Sequence, residues 1–407
     1  MRSRANQILA ELFGRPLVAD PFPLYAELRE LDPVHREPNG MWYLTRFADC
    51  ERVLRSPSFG HGGQVRHAGS GTSGRREKLL SLMFSFDDPP EHTRKRGLVA
   101  APFTVAATSR YRSRVKELVD DLLDPLGVGD EVDLDVALSA RLPVLVTCEL
   151  LGIPAVDRDK CVEWVERLTS SNQPVLTGPE SAQILEDADR AASDAADYFV
   201  ELIHERAANP QGDILSELAP LALEEGQYSS DEIASTLLLL MAAGFETTRY
   251  TITGGLHALA ESPEQWTMAR QQVRADGLIS SDMYEELLRH QGPIHGALAR
   301  RSAAPEVFDG VEIPAGEAVV PMLASANRDP RTFADPERLD ITRPGGRPLS
   351  FGAGAHYCLG VWVARDEIIL AVSGVVERFA GLEVLEPPAI KGSFNVRGPK
   401  GLRVRTH

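Results

Sequence analysis

The stretch Ser-Phe-Gly-Ala-Gly-Ala-His-Tyr-Cys-Leu-Gly-Val-Trp-Val-Ala-Arg, residues 350–365, decides how this chain is interpreted. Gly352, Gly354 and Gly360 surround Cys358, so the backbone there can turn tightly, adopt positive φ and approach a flat ligand without an intervening Cβ. Beyond Gly360 the apolar residues recur with helical spacing. A cysteine just before a helix lies where backbone N–H groups and the helix dipole favour the thiolate, the form that ligates metals. We therefore take Cys358 as the candidate metal ligand around which the protein is built.

A second stretch, inside a long predicted helix, contains a glycine and polar residues where an apolar, buried helix normally has neither. Residues 229–261 open with a capping-box pattern and meet no helix breaker before Ser-Pro, which predicts one helix of roughly 45 Å. Residues 233–245 are apolar on nearly every side and should be buried. Gly244, Glu246 and Thr247 interrupt this pattern, although a buried acid costs several kcal/mol unless it is paired and a glycine weakens a helix by about 1 kcal/mol. The residues alone leave two explanations open, a satisfied kink or a functional site.

Length and composition favour one large domain over residues 1–407. The chain has 407 residues, of which 43% are hydrophobic, and no linker-like stretch divides it. A formal net charge of −16 argues against a nucleic-acid partner, because phosphate binding needs a basic patch. The four cysteines form no disulfide framework or CxxC pair, which suits a reducing compartment. We expect a cytoplasmic protein.

The sequence predicts no membrane anchor and no signal peptide. Glu11 interrupts the amino-terminal apolar residues before they reach signal-peptide length. The most apolar stretch, residues 233–245, is far shorter than the roughly 20 residues that a spanning helix needs.

Several other segments carry structural signals. Asn39-Gly40 between two apolar-rich runs predicts a β-hairpin over residues 34–44. Residues 56–76 are rich in Gly, Ser and His, which indicates a long loop that is either surface disorder or a functional lid. The alanine-rich and acidic residues 186–197 suggest a solvent-facing helix. Helical periodicity is present in residues 24–31, 108–126, 141–151, 157–171 and 181–208, and strand-like pieces lie near 311–323 and 390–405.

Taken together, the pattern Phe-Gly-x-Gly-x-His-x-Cys-Leu-Gly around Cys358 resembles the haem-binding signature of the cytochrome P-450 family. The resemblance implies that Cys358 is the axial ligand of haem b, iron protoporphyrin IX, with Phe351 packed beside it. It further implies that His356 bonds a haem propionate and that Gly360 borders the haem. Val361 stands where the family usually has a small residue, a departure that could alter packing under the haem.

The same resemblance extends along almost the whole chain, in family order. It implies that His92 and Arg96, which share one helical face, and Arg300 also bind the propionates, with Arg301 as the alternative to Arg300. It implies that Glu286-x-x-Arg289 is a buried structural pair completed by Arg338.

Residues 243–248, Ala-Gly-Phe-Glu-Thr-Thr, resemble the family's oxygen-binding groove. Ala243 and Gly244 would border the haem, and Glu246 and Thr247 would be the acid and alcohol that pass protons to the oxygen being reduced. Residues 56–86 would form a mobile lid over the substrate. The substrate contacts implied by position are Phe84, Leu239, Ala243, Ile294, His295 and Phe394.

The fold and function that the resemblance implies are specific. The fold would be a single domain, mainly α with a small β part, its helices forming a triangular prism around the haem. The protein would be a monooxygenase that uses O₂ to hydroxylate or otherwise oxidise a small organic substrate of secondary metabolism. We expect no fused electron-transfer domain, so electrons would come from NAD(P)H through a ferredoxin and a ferredoxin reductase. A peroxide-driven peroxygenase and a non-enzymatic haem sensor remain alternatives.

Overall fold

The computed structural model describes residues 4–14, 16–62, 75–170, 180–223 and 227–407. The α-helices in these residues are α1 (Arg4–Leu12), α2 (Phe22–Leu31), α3 (Phe47–Arg55), α4 (Arg75–Ser81), α5 (Glu91–Ala100), α6 (Val105–Thr108), α7 (Arg112–Leu123), α8 (Leu142–Leu151), α9 (Arg158–Ser170), α10 (Glu180–Ala208), α11 (Ile214–Leu223), α12 (Ser230–Ala260), α13 (Pro263–Asp276), α14 (Ser281–Gln291), α15 (Leu323–Ala326) and α16 (Val361–Arg378). The strands are β1 (Val34–Arg36), β2 (Trp42–Leu44), β3 (Phe59–Gly60), β4 (Glu131–Asp133), β5 (Arg300–Ser302), β6 (Glu306–Phe308), β7 (Val311–Ile313), β8 (Ala318–Pro321), β9 (Leu382–Glu386), β10 (Ala389–Gly392), β11 (Arg397–Lys400) and β12 (Arg403–Thr406). The fold is therefore mainly helical with a small β part, as predicted.

The chain forms two compact units, each assembled from separate segments. Unit 1 contains Met1–Gly62, Val115–Arg141 and Thr247–His407, and unit 2 contains Gly63–Arg114 and Leu142–Glu246. Because both units are discontinuous in sequence, no composition shift or linker marks their boundaries. The expectation of a single domain stays a prediction.

Unit 1 contains all four small sheets, and the largest of them has the strand order β1-β2-β8-β5-β3. The predicted hairpin is confirmed: β1 and β2 pair antiparallel with Val34 opposite Leu44, and Gly40 adopts a φ of 91° in the turn. Strand β3 pairs antiparallel with β5, Phe59 opposite Ser302 and Gly60 opposite Arg301. A buried apolar cluster with members on α3, β2 and β8 packs beside this sheet. The sheet thus fixes the position of the segment that leaves β3.

Unit 2 is helical, and one of its helices corrects an expectation. Residues 186–197 were expected to face solvent, but Ala188, Ala191, Ala192, Ala195 and Ala196 of α10 are almost completely buried. Alanine side chains are small, so they let neighbouring helices approach α10 closely. The acidic residues between them occupy the other faces of the helix.

Helix α12 forms as the sequence predicts. The Ser229 backbone N–H donates to the Glu232 carboxylate at 2.9 Å, and the Glu232 N–H donates to Ser229 Oγ at 3.2 Å. This reciprocal pair is the capping box, and the helix that follows is unbroken to Ala260. The helix belongs to unit 2 as far as Glu246 and to unit 1 from Thr247.

The predicted long loop is interrupted by regular structure. Within residues 56–76, Phe59–Gly60 form β3 and α4 begins at Arg75, so the expectation of one continuous loop is wrong at both ends. The remainder of that prediction, residues 63–74, lies outside the described residues. The assignment of residues 56–86 as a lid stays a prediction.

Over the ranges given above, no helix combines the length and apolar character that a membrane crossing requires.

Candidate active site

The loop that carries Cys358 is shaped by two glycines for different reasons. Gly352 has φ 70° and ψ −161°, a combination that is essentially limited to glycine. Gly354 has φ 71°, and a Cβ placed on it would lie 2.2 Å from the Leu54 carbonyl oxygen at the end of α3. The Cys358 N–H donates to the Phe351 carbonyl at 3.0 Å and closes the loop. The glycine pattern therefore presses this loop against α3 and presents Cys358 just before α16.

Gly360 does not behave as the sequence suggested. Its φ of −82° is open to any residue, so the expectation of positive φ there is wrong. Gly360 is instead the N-cap of α16, which begins at Val361. Its role beside a flat ligand stays a prediction.

Cys358 is the accessible thiol of the four. It is partly exposed, whereas Cys50, Cys148 and Cys161 are fully buried. Burial raises the pKa of the Cys50 thiol, and Cys148 and Cys161 are hydrogen-bonded to each other. A thiolate ligand must reach its metal, so the structure favours Cys358 for that role.

Three nitrogen-bearing side chains meet in unit 1. Arg300 Nη1 lies 2.5 Å from Nε2 and 3.0 Å from Nδ1 of His61. The His61 and His356 rings are 4.9 Å apart between centroids and nearly perpendicular, at 85°. His61 is fully buried and Arg300 is 5% exposed. The structure thus brings the predicted residues Arg300 and His356 together through His61, which the sequence interpretation missed.

The alternative Arg301 points elsewhere. Its Nη1 donates to the Gly316 carbonyl at 2.6 Å and its side chain is exposed. This contact supports Arg300 rather than Arg301 as the member of the buried cluster.

The Glu286–Arg289 pair is buried as predicted, but its third member is a different arginine. Arg289 donates to both oxygens of Glu286, at 2.7 and 2.8 Å, and both side chains are about 1% exposed. Arg343 Nε donates to Glu286 Oε2 at 3.1 Å. Arg338 contributes only its backbone carbonyl, which accepts from Arg289, and its side chain is exposed. The prediction of Arg338 is therefore wrong, because the coil that follows it turns back and brings Arg343 to the carboxylate.

In unit 2, the basic residues of helix α5 point in different directions, as predicted: Arg94 and Lys95 bond acidic side chains, and His92 and Arg96 lie on another face. Arg94 bonds Glu91 and Glu232, and Lys95 donates to Asp87 at 2.7 Å. His92 and Arg96 lie four residues apart on another face. His92 is 3% exposed and its ring contacts Phe84, while Arg96 is partly exposed. The propionate role of His92 and Arg96 stays a prediction.

Several side chains in the middle of α12 are accessible. Ala243 is exposed, and Glu246 and Thr247 are partly exposed. Gly244 has a packing explanation, because a Cβ there would lie 2.8 Å from Thr147 Oγ1 on α8. The helix is continuous through these residues, so an interruption of the helix does not account for the glycine. Roles for Ala243 and Gly244 beside a cofactor stay predictions.

An ion pair holds α12 two residues beyond Thr247. Arg249 donates through Nε and Nη2 to the Asp135 carboxylate, at 2.8 and 2.5 Å. Asp135 also accepts from Thr253 Oγ1 at 3.0 Å and from the Gly401 N–H at 2.9 Å. Burial alone would raise the pKa of Asp135, but the Arg249 guanidinium and the other donors hold that pKa below its usual value. The carboxylate therefore stays charged and fixes the rotation of this part of the helix.

Most predicted substrate residues of unit 1 lie in packed surroundings. The His295 ring is 6% exposed and its Nδ1 is 2.8 Å from the Tyr25 hydroxyl. Phe394 is 4% exposed and its ring contacts Phe13 and Tyr43. Ile294 packs at the margin of the apolar cluster beside α3. In unit 2, Phe84 is buried and Leu239 is partly buried. Their contact with a substrate stays a prediction.

The predicted site residues thus fall in both units. Thr247, Arg300, Phe351, His356, Cys358 and Gly360 lie in unit 1, together with the substrate candidates Ile294, His295 and Phe394. His92, Arg96, Ala243, Gly244 and Glu246 lie in unit 2, with Phe84 and Leu239.

Comparison with known proteins bears directly on this site. The family model described as "Cytochrome P450" matches residues 71–395, which include the whole Cys358 loop. The chain belongs to the cytochrome P450 family. Cytochrome P450 monooxygenase PikC of Streptomyces venezuelae is 33% identical over 402 residues, covering 96% of this chain and 92% of that protein. Nocardicin C N-oxygenase of Nocardia uniformis subsp. tsuyamanensis is 34% identical over 386 residues, covering 92% of each chain.

Solved cytochrome P450 structures have the same fold. Ligand-free CYP164A2 of Mycobacterium smegmatis superposes with a TM-score of 0.86 at 31% identity, covering 98% of this chain and all of that one. The fold prediction is confirmed, and the chain is a cytochrome P450 monooxygenase.

The residues present fit the haem that this family carries. Cys358 offers a partly exposed thiol on a loop that Gly354 lets approach α3 closely. Arg300, His61 and His356 place a guanidinium and two imidazoles together in the same unit, which is a donor set suited to carboxylates such as haem propionates. The cytochrome P450 can therefore hold a haem by its iron and by its acidic edge.

Proposed function

We propose that this cytochrome P450 oxidises a small organic substrate of secondary metabolism, with electrons from NAD(P)H delivered by a ferredoxin and a ferredoxin reductase. PikC is a monooxygenase and the nocardicin relative is an N-oxygenase, and both support oxygen transfer to an organic molecule. The observation that carries the proposal is the accessible Cys358 on a loop shaped by Gly352 and Gly354.

Cys358 would hold the haem iron, and basic side chains would hold the haem propionates. Bound haem with a thiolate ligand supplies the activation of O₂ by two electrons and two protons. The backbone N–H groups and the dipole at the start of α16 would favour the thiolate of Cys358. Arg300, His356, His92 and Arg96 would donate hydrogen bonds to the propionates, as the resemblance to the family implies. Phe351, Gly360, Ala243 and Gly244 would border the haem.

Glu246 and Thr247 supply protons. The Thr247 hydroxyl donates at Oγ1 to the oxygen atom that leaves as water, or orients a water that does so. The Glu246 carboxyl carries protons to that position from solvent as a general acid. Partial exposure of both side chains supports this role. The Asp135–Arg249 pair keeps Thr247 at a constant rotation about the helix axis.

We expect Phe84, Leu239, Ala243, Ile294, His295 and Phe394 to contact the substrate, as the resemblance to the family implies. Difference spectra of the purified protein with a library of small organic compounds would identify the ligands that displace water from the haem.

The thiolate assignment is tested with cysteine variants. Reduced wild-type protein with carbon monoxide should show the long-wavelength Soret band of thiolate ligation, and Cys358→Ser should lose it. Cys148→Ser and Cys161→Ser are matched controls that should keep the band, because both thiols are buried and bonded to each other. Loss of the band in either control, with its retention in Cys358→Ser, would refute the assignment.

The proton role is tested by counting products per electron pair. Thr247→Ala should still consume reduced cofactor but release more hydrogen peroxide per product, because the proton arrives less reliably. Glu246→Gln should slow turnover and raise its solvent isotope effect. Thr236→Ala is the control, since that hydroxyl bonds the Glu232 carbonyl of the same helix at 2.8 Å. Full coupling in Thr247→Ala would contradict the proton role, and equal activity with peroxide alone would favour the peroxide-driven alternative.

A further inference from the structure

Two segments of unit 1 that carry predicted substrate contacts, residues 293–297 and residues 394–397, are joined through their backbones. The contacts that link them are the His295 N–H to the Asn395 carbonyl at 2.8 Å, the Gly296 N–H to the same carbonyl at 3.3 Å, the Arg397 N–H to the Pro293 carbonyl at 3.0 Å, and a bridge between Ile294 and Val396. We refer to them as the paired segments. A displacement of one segment is therefore passed to the other.

Close packing adds to this backbone pairing. A Cβ on Gly296 would lie 2.9 Å from the Phe394 ring and 3.0 Å from Asn395 Oδ1, so the glycine lets the paired segments approach each other. Phe394 is 4% exposed, and its ring packs edge-on against Phe13 at 4.5 Å between centroids. The paired segments are therefore one packed body, whose position depends on the side chains that hold it.

Helix α2 holds the paired segments through a side-chain hydrogen bond. The Tyr25 hydroxyl and His295 Nδ1 lie 2.8 Å apart and share this bond. Tyr25 is fully buried and His295 is 6% exposed. The Phe22 ring contacts both rings, at 6.0 and 5.9 Å between centroids. Tyr25 also belongs to the buried apolar cluster that contains Phe394. A helix near the start of the chain is thus fastened to residues 293–297.

The His295 ring is neutral in the folded protein. Burial lowers its pKa well below the usual value, and the charges of Arg397 and Arg328 act in the same direction. A buried hydroxyl is costly to leave without a hydrogen-bond partner, so Tyr25 and His295 hold each other in place. The ring nitrogen Nδ1 is therefore occupied by helix α2.

We propose that Tyr25 and His295 are positioning residues for the substrate site, acting through Ile294. Their hydrogen bond fixes residues 293–297, and this segment fixes the Ile294 side chain against which part of the substrate would rest. Ile294 packs at the margin of the apolar cluster beside α3 and stays partly exposed. The inference rests on the proposed function and narrows it, because it assigns the His295 ring to holding the segment instead of contacting the substrate.

The experiment uses haem-loaded protein and two probes, imidazole and 4-phenylimidazole. Both bind haem iron through a ring nitrogen, and only 4-phenylimidazole carries a phenyl group that must fit beside the haem. Soret difference spectra give the dissociation constant of each probe. The ratio of the two constants cancels changes at the iron and reports the surroundings of the phenyl group.

The variants separate the hydrogen bond from the ring that carries it. Tyr25→Phe removes the hydroxyl and keeps the ring. His295→Asn keeps a polar group for Tyr25, whereas His295→Leu removes it. Tyr43→Phe is the matched control, because Tyr43 is also buried and its ring contacts Phe394 at 6.2 Å, whereas its hydroxyl lies 3.9 Å from Met41 Sδ.

We expect Tyr25→Phe and His295→Leu each to lower the preference for 4-phenylimidazole over imidazole about fivefold, which corresponds to ~1 kcal/mol. The physical reason is that residues 293–297 no longer hold one position. His295→Asn should stay within about twofold of wild type, since an amide can still bond the Tyr25 hydroxyl. Tyr43→Phe should leave the ratio unchanged. In a Tyr25→Phe background, His295→Leu should cause no further change, because the bond is already lost.

Ile294→Ala distinguishes failure of the inference from failure of the proposed function. It should change the ratio about fivefold or more, which shows that the phenyl group reaches this segment. If imidazole causes no Soret shift in wild-type protein, the haem function fails. If Ile294→Ala leaves the ratio unchanged, the proposed substrate contact of Ile294 fails, and the inference with it.

A purely structural role is also separable. If Ile294→Ala changes the ratio while Tyr25→Phe only unfolds at lower urea concentration and keeps the wild-type ratio, the positioning role alone is overturned. Multiplicative effects of Tyr25→Phe and His295→Leu on the ratio would overturn it as well, because the two residues would then act independently.

Discussion

Replacing Arg343 by alanine should destabilise unit 1 clearly, whereas the same change at Arg338 should not. Arg343 donates to the buried carboxylate of Glu286 at 3.1 Å and to the Ala334 carbonyl at 2.5 Å, and its side chain is 13% exposed. A hydrogen bond to a charged group contributes about 1.5–3 kcal/mol. Glu286 keeps its two bonds from Arg289 in the variant, so the loss stays below the roughly 3–5 kcal/mol of a fully broken buried pair. We expect Arg343→Ala to lower the free energy of unfolding by about 2–3 kcal/mol.

The Arg338 side chain provides the internal control. It is exposed, and only its backbone carbonyl joins the cluster, which alanine retains. Arg338→Ala should therefore change the free energy of unfolding by less than about 0.5 kcal/mol. Arg343→Lys should fall between the two, because an ammonium keeps the charge but cannot donate in a fork.

The assay is urea unfolding of the haem-loaded proteins, followed by far-ultraviolet circular dichroism and by loss of the Soret band. Both probes should shift together in Arg343→Ala, because the cluster lies in the unit that carries Cys358. An equal or larger loss in Arg338→Ala would refute the assignment of Arg343 as the third member of the cluster.

Two further outcomes follow from the structure. Gly354→Ala should lower the free energy of unfolding by about 2–5 kcal/mol, because the new side chain meets both a left-handed backbone and the Leu54 carbonyl oxygen. Gly40→Ala has the same left-handed φ but no neighbour within 4 Å of the new Cβ, so it should lower that free energy by only about 1–2 kcal/mol. Equal losses in urea unfolding would show that the clash is unimportant. Burial, together with the nearby Arg328 charge, lowers the pKa of His290 to about 3. Below about pH 6.5 the unfolded chain therefore binds a proton at this histidine while the folded protein keeps the ring neutral. The free energy of unfolding should fall as the pH drops from about 6.5 towards 3. The loss of stability between about pH 7.5 and about pH 5 should be about 1–2 kcal/mol smaller in His290→Gln than in wild type, because the other histidines whose pKa burial lowers still contribute their share. An equal loss in the two proteins would contradict the assignment.

Features that depend on near neighbours in the chain were predictable from the sequence. The capping box at residues 229–232 starts α12 because its donors and acceptors are three residues apart. The Asn39-Gly40 turn specifies a hairpin for the same reason. Around Cys358 the spacing of glycines, histidine and cysteine is itself the signal, and the family match confirms the class of protein that it indicated. The prediction of positive φ at Gly360 was wrong, because a glycine can also adopt the negative φ that any residue allows.

The tertiary structure decided which distant residues act together. Glu286 is completed by Arg343 and not Arg338, because the path of the coil after residue 338 determines which guanidinium reaches the carboxylate. Gly244 is opposite Thr147 because two helices of unit 2 cross there, and no spacing within α12 reveals that contact. His61 joins Arg300 across 239 positions of sequence through the register of a two-residue strand. A strand that short carries almost no sequence signal, and a shift of one residue would turn the His61 side chain to the other face of the sheet.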